Sequence, residues 1–179
     1  LTKIKKKEVL ILGNGPSLNE NNKILENYII QKKPFVIGLN TQKNISEKLI
    51  DTFNQAGRES IELYSKGLKI TIKEDKSPVS NGDLRVNETI TNKIKELTPN
   101  IPIVSEETVN LKIKNTAKIF WLIDPIDGTK EYIAGRDEYT LKAALVIDTV
   151  PVLGVVGVPK KERLFYSYAP GESYLIESG

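Results

Sequence analysis

No cysteine and no histidine occur in these 179 residues. Without cysteine no disulfide framework constrains the fold, and a reducing compartment is compatible with the composition. The same two absences exclude, within this stretch, a covalent phosphocysteine or phosphohistidine route and the usual zinc sites, which need a thiolate or an imidazole. Long hydrophobic runs are lacking too. None approaches the roughly 18 apolar residues of a spanning helix, and no charged-then-apolar leader with a small-residue cleavage site precedes them. A cytoplasmic location with no transmembrane segment is expected. Neither internal repeats nor low-complexity tracts are present. Charge of one sign is not in large excess: a net charge of +3 and a pI near 8.9 favour a phosphorylated small molecule but fall short of the concentrated basic patch of a nucleic-acid binder. The basic run Lys3, Lys5, Lys6, Lys7 reads as a solvated face.

A hydrophobic share of 39% with 27% charged residues is ordinary for a globular domain. Residues 8–13 and 34–40 pattern as strands, 14–17 as a turn and 18–31 as a helix, which together make one βαβ unit. The glycines and Ser17 of its G-N-G-P-S loop could cradle a phosphate or simply form a tight βα turn. Two strands are not stable alone, so residues 1–40 read as a fragment of a possible preceding domain or as a segment leaning on the rest of the chain. Residues 41–46 read as a linker, with Ser46 as N-cap and Glu47 in the first turn of a helix running to about Tyr64, whose buried stripe is Leu49, Phe53, Gly57 and Ile61. A strand is expected over 69–73. A second helix should start at Asp83, with Val86, Ile90, Ile94 and Leu97 on one face and Pro99 ending it. Strands are expected at 119–123, 139–147, 152–158, 164–168 and 174–176, with a hairpin turn over 159–162. The fold class is therefore α+β: a two-helix layer on a mainly antiparallel sheet, preceded by the short βαβ unit. Tyr132, Tyr139, Tyr166, Tyr168 and Tyr174 read as packing residues before base-stacking ones.

The stretch W-L-I-D-P-I-D-G-T-K-E-Y, residues 121–132, carries the most chemistry. An apolar strand runs into two acids three residues apart, which would repel each other unless a cation or a hydrogen-bond network compensates them. Asp124 and Asp127 are hard oxygen ligands of the kind magnesium prefers, Pro125 stiffens the turn between them, and the Ile126 carbonyl could be a third ligand. Gly128 and Thr129 would open a short helix whose free amides suit a phosphate, and the Thr129 hydroxyl can orient a water. A plain strand followed by an Asp-Gly turn is the competing reading. Upstream, P-I-V-S-E-E (102–107) also ends a short strand in acids, so Glu106 is a candidate metal ligand with Glu107 in support, against the alternative of two solvated glutamates. The polar loop K-E-D-K-S-P-V-S-N-G-D (73–83) closes on Asp83, which otherwise serves as a helix N-terminal acid.

In this order the three segments resemble the magnesium-dependent, lithium-sensitive phosphomonoesterases of the inositol monophosphatase superfamily. Within it, K-E-Y after D-P-I-D-G-T is similar to the 3'(2'),5'-bisphosphate nucleotidases of CysQ type. The resemblance runs from about Ile45 to Gly179 and includes Y-T-L (139–141) and P-V-L-G-V-V (151–156). It implies the N-terminal part of the sugar-phosphatase αβαβα fold for residues 41–179. It implies Glu106, Asp124 and the Ile126 carbonyl as ligands of one Mg2+, and Asp124 with Asp127 as ligands of a second. Asp83 and Thr129 would activate the attacking water, with Glu106 counted among the catalytic groups. Gly128, Thr129, Lys130 and Glu131 would face the substrate and Glu107 would support the site. The implied reaction is hydrolysis of 3'(2')-phosphoadenosine 5'-phosphate to AMP and phosphate, a step in sulfur assimilation. Alternatives are an inositol or sugar monophosphatase and, in another class, an inactive fragment or phosphate-binding module. The family's later W-D-x-A-A-G motif has no counterpart here, so the chain is expected to be incomplete at its C-terminus and to hold a second metal poorly. Lys142 stands where relatives often carry Asn.

Overall fold

The computed structural model describes residues 41–108, 118–169 and 171–177 and, ahead of them, the backbone of 2–3, 9–12 and 35–40. The chain divides into two compact units, Leu1–Ile45 and Ser46–Gly179. In the first, β1 (Thr2–Lys3) pairs antiparallel with β2 (Val9–Leu12), and β2 pairs parallel with β3 (Phe35–Gly38), Val9 lying opposite Phe35. A parallel pair is what a βαβ unit requires. β1 adds a third strand to the two read from the sequence, because two residues are too few to show a period. The turn over 14–17, the helix over 18–31 and Lys5, Lys6 and Lys7 lie outside the described residues.

Helix α1 (Leu39–Lys66) corrects the expected linker. Residues 41–46 are already helical, since T-Q-K-N-I-S contains neither glycine nor proline to break the pattern, and Ser46 is a buried mid-helix residue and not a cap. The polar loop ending at Asp83 also proves more ordered than its composition suggests. β4 (Ile70–Ile72) and β5 (Pro78–Ser80) form an antiparallel hairpin, Ile70 opposite Ser80, and α2 (Asn81–Leu97) continues from it without a gap.

The main sheet comprises β6 (Ile103–Ser105), β7 (Ile119–Asp127), β8 (Thr140–Ile147), β9 (Val150–Val158), β10 (Arg163–Ala169) and β11 (Glu172–Glu177). Its order is β11-β10-β9-β8-β7-β6, antiparallel throughout except for the parallel β6–β7 edge. A short helix, α3 (Thr129–Ile133), joins β7 to β8, and a 3-10 turn over Pro159–Lys161 joins β9 to β10. Two helices on one face of a mainly antiparallel sheet is the architecture read from the sequence.

The core forms where these periods meet. Val86, Ile90 and Ile94 recur at the helical step along α2 and are fully buried, as are Leu49 and Ala56 of α1, with Phe53 nearly so. They face Trp121 and Ile123 of β7, Leu141, Ala143 and Leu145 of β8, and Leu153 and Val155 of β9, each buried at the two-residue period of a strand. Each of the Val, Leu, Ile and Phe side chains contributes roughly 1.5–3 kcal/mol by leaving water. Trp121 also donates its indole N–H to Thr98 Oγ1 at 3.0 Å, which fastens the C-terminal end of α2 to β7. On the opposite face Leu122, Phe165 and Leu175 stay exposed.

Candidate metal and phosphate site

The two aspartates of D-P-I-D do not flank a turn, as expected, but end a strand that continues to Asp127. Asp124 pairs with Lys142 of β8 and Asp127 with Thr140, so three steps on β7 face two on β8. The extra residue is a β-bulge. It explains how a proline can sit in a central strand, because the bulge releases Pro125 from the ladder donor it lacks, and it re-aims the acids at the strand end. Pro125 and Ile126 are buried, whereas Asp124 is partly and Asp127 largely open to solvent.

Asp124 carries the strain of this arrangement. Its Oδ1 is buried and has no hydrogen-bond partner. Burial first, then the charges of Glu106 and Asp127 and a hydrogen bond shared with Glu106, push its carboxyl up to about 7 against the opposing pull of Lys142. Asp127 forms an ion pair with the Lys142 ammonium.

Asp83, fully buried, is held from two sides. Its Oδ2 accepts from Ser80 N at 2.8 Å and Ser80 Oγ at 2.5 Å, and its Oδ1 accepts from Thr129 Oγ1 at 3.0 Å. Ser80 caps α2 in a reciprocal capping box, accepting at Oγ from Gly82 N and Asp83 N. Asp83 is thus a helix-start acid, and the same carboxylate bridges to the G-T turn. The Thr129 hydroxyl lies 3.1 Å from the Ile126 carbonyl as well, but its single proton serves one acceptor at a time.

Glu106 and Glu107 lie just past β6 beside β7, where Glu106 N donates to Ile123 O at 3.2 Å. They separate at once. The Glu107 side chain is 5% exposed and accepts from Lys73 Nζ at 2.9 Å, while the Glu106 side chain is 53% exposed and 3.8 Å from the same ammonium. Burial raises the Glu107 carboxyl despite its partner. Burial would lower Lys73, yet the hydrogen bond and charge of Glu107, with Glu106 and Asp83 behind, leave it raised. Lys73 therefore ties the β4–β5 turn to the S-E-E segment. Ser105 adds a second tie, donating from Oγ to Asn87 Oδ1 of α2 at 2.6 Å.

Helix α3 is placed by its tyrosine. Tyr132 donates to the Ser60 carbonyl of α1 at 2.7 Å, and Ser60 Oγ, which itself donates to Gly57 O, meets Tyr139 OH at 2.9 Å. The Tyr132 ring passes so close to α2 that a Cβ on Gly82 would lie 2.6 Å from Tyr132 Cε1. Gly128 adopts φ +96°, and a Cβ there would lie 2.8 Å from the Glu138 carbonyl, so the residue between Asp127 and Thr129 must be glycine. Lys130 is exposed and Glu131 partly buried in the first turn of α3.

The fold thus brings Asp83, Thr129, Asp124, Asp127, Glu106 and Glu107 to the strand ends of β6 and β7 and the N-terminus of α2. The donor set fits a hard divalent cation: carboxylates, a backbone carbonyl and one buried carboxylate oxygen lacking any partner. Among the described residues no three acids close into a finished ligand set. Asp127 is taken by Lys142, and Glu106 lies toward Lys73. Sequence reasoning missed Lys73, Ser80 and Ser60 as parts of the site. The S-x-x-D capping spacing signals Ser80, whereas nothing in the sequence connects Ser60 to residues 72 and 79 positions downstream.

Residues 41–176 match the family described as the inositol monophosphatase family. The chain belongs to that family. Among curated proteins it is similar to the 3'(2'),5'-bisphosphate nucleotidase CysQ of Aggregatibacter actinomycetemcomitans, 35% identical over 138 residues that cover 76% of this chain and 51% of that protein. It is 34% identical to CysQ of Salmonella typhimurium over 136 residues, 74% of this chain and 55% of the relative. Among solved structures, CysQ from Bacteroides thetaiotaomicron superposes with a TM-score of 0.62 at 32% identity, covering 76% of this chain and 50% of that one. An IMPase/NADP phosphatase solved with Mg2+ and phosphate superposes with a TM-score of 0.66 at 19% identity, over 76% of this chain and 53% of that one, which bears on the fold alone. The chain spans about half the length of the curated relatives it matches.

Proposed function

We propose that the protein is a magnesium-dependent phosphomonoesterase that hydrolyses the 3'(2')-phosphate of 3'(2')-phosphoadenosine 5'-phosphate, giving AMP and inorganic phosphate in the cytoplasm. The observation that carries this is the juxtaposition of two things: the Asp83–Thr129 hydrogen bond, and Asp124 with a buried carboxylate oxygen that has no partner. The names of the CysQ relatives support the substrate, and the K-E-Y segment after D-P-I-D-G-T is the local feature in favour of the nucleotide over an inositol phosphate. Residues 41–179 would form the catalytic unit's N-terminal part, with residues 1–40 outside it.

Glu106, Asp124 and the Ile126 carbonyl would hold one Mg2+, and Asp124 with Asp127 a second. When bound, the metal supplies Lewis-acid polarisation of the phosphoryl group and acidifies water. The chain supplies proton transfer and positioning. Thr129 Oγ1 accepts the proton of the attacking water while passing its own to Asp83 Oδ1, a relay for which the 3.0 Å contact is already in place. The amides of Gly128 and Thr129 at the start of α3 hold the phosphate oxygens, and Lys130 and Glu131 border the substrate. The water oxygen would bond to phosphorus as the ester P–O bond breaks, the departing ribose oxygen taking a proton from solvent water to give the hydroxyl of AMP, with no covalent enzyme intermediate.

The test is phosphate release from 3'-phosphoadenosine 5'-phosphate, with and without Mg2+, by the native product of the reading frame that contains these residues, alongside inositol 1-phosphate. Mg2+-dependent release from the nucleotide, abolished by Asp124→Asn, is expected. Preference for inositol phosphate would shift the assignment to the other branch, and phosphate binding without turnover would make the protein a binding module.

A further inference from the structure

Two basic side chains lie among these acids: Lys73, hydrogen-bonded to Glu107 and 3.8 Å from Glu106, and Lys142 at Asp127. Lys142 stands opposite Asp124 in the β7–β8 register, and its ammonium forms an ion pair with Asp127, the side chains being 43% and 51% exposed. The bulge accompanies this: between the Asp124–Lys142 and Asp127–Thr140 pairs two residues on β7 face one on β8, and the Lys142 side chain, level with the first acid, reaches the second. Asp124 keeps an oxygen without a partner, while Asp127 is already paired with an ammonium. The two aspartates are therefore not equivalent, although the motif presents them alike.

We propose that Lys142 is a tethered counter-ion that competes with a divalent cation for Asp127, so that the site fills in order: the cation at Glu106 and Asp124 binds first, and a cation at Asp127 binds only by displacing the ammonium. This rests on the metal-binding reading of the acid cluster. A half-exposed ion pair is weak and can be broken. A covalently attached cation is nevertheless present at a fixed local concentration whatever the bulk metal concentration, and a positive charge within a few ångströms of a divalent ion opposes its binding. Lys142 is thus an affinity-determining residue for the second metal and takes no part in proton transfer.

Calorimetric titration with Mg2+ of the wild-type protein, Lys142→Gln, Lys142→Thr and Lys142→Arg tests this, with the exposed Lys95→Gln in the last turn of α2 as a control of equal net charge. Both neutral variants should tighten the weaker binding step at least about fivefold, since an opposing charge has been removed at close range, while Lys142→Arg and Lys95→Gln stay near wild type. Melting curves confirm folding, and Thr, a strand-forming residue, guards against loss of Gln alone. Neutral variants that bind Mg2+ as wild type does would overturn the proposal and leave the metal reading standing. Equal tightening by Lys142→Arg or Lys95→Gln would also overturn it, because charge at this position would not be the cause. No Mg2+ binding by any form, wild type included, would overturn the metal reading and with it the proposal.

Discussion

At Asp124 stability and the proposed metal binding depend on the same carboxylate. With its carboxyl raised to about 7 from an ordinary 3.8, the folded metal-free protein binds a proton there that the unfolded chain has already lost. The stabilisation from that proton is complete below pH 4 and disappears as pH rises through 7. Metal-free protein should therefore lose melting temperature between about pH 5 and 8 on this residue's account. Asp124→Asn should flatten that part of the profile, raise stability at pH 8 and bind Mg2+ far more weakly. Thermal melts of both proteins across the pH range, with and without Mg2+, check the prediction. A parallel pH dependence in the variant would remove Asp124 as the cause. Mg2+ should recover the loss in wild type, because it replaces the proton as counter-charge.

At the scale of elements, the site is held by contacts that reach it from behind. Ser80→Ala removes both the cap of α2 and one of the donors to buried Asp83, and should cost about 1–2 kcal/mol in urea unfolding, the usual range for a lost N-cap. Mg2+ binding should change less than stability, because the 2.8 Å bond from Ser80 N to Asp83 remains. Gly82→Ala forces a methyl into the Tyr132 ring and should cost about 2–3 kcal/mol as overpacking. In a Tyr132→Leu background the same glycine change should cost much less, and a double-mutant cycle in urea measures the coupling. Additive effects would mean that α3 is not seated on α2 through this contact.

For the whole molecule, the family match begins at residue 41, and every acid of the cluster belongs to the second unit. Deleting residues 1–38, just before α1, should leave Mg2+ affinity unchanged within about twofold and preserve one cooperative melt, as expected for a compact unit with its own core. Calorimetry and thermal melting on the shortened protein check this. Loss of Mg2+ binding with folding preserved would draw the first unit into the site. No helix among the described residues is long and apolar enough to cross a membrane.

The sequence by itself determined most of the elements and the family to which the chain belongs. Val86, Ile90 and Ile94 declared α2, the apolar run over 139–147 declared β8, and D-P-I-D-G-T with S-E-E and Asp83 marked the candidate acids. Such information is local, because a period or a motif repeats within a few bonds. Boundaries were less legible: α1 begins before its supposed linker, and β5 lies hidden in a loop-like composition, since a short strand needs its partner β4 to exist. Only the tertiary structure decided the bulge at Pro125, the seating of Tyr132 on Ser60, the pairing of Lys73 with Glu107 and the capture of Asp127 by Lys142. Each of these depends on which residue a neighbouring element brings alongside. Register and packing set that choice, and no pattern within a single segment encodes it.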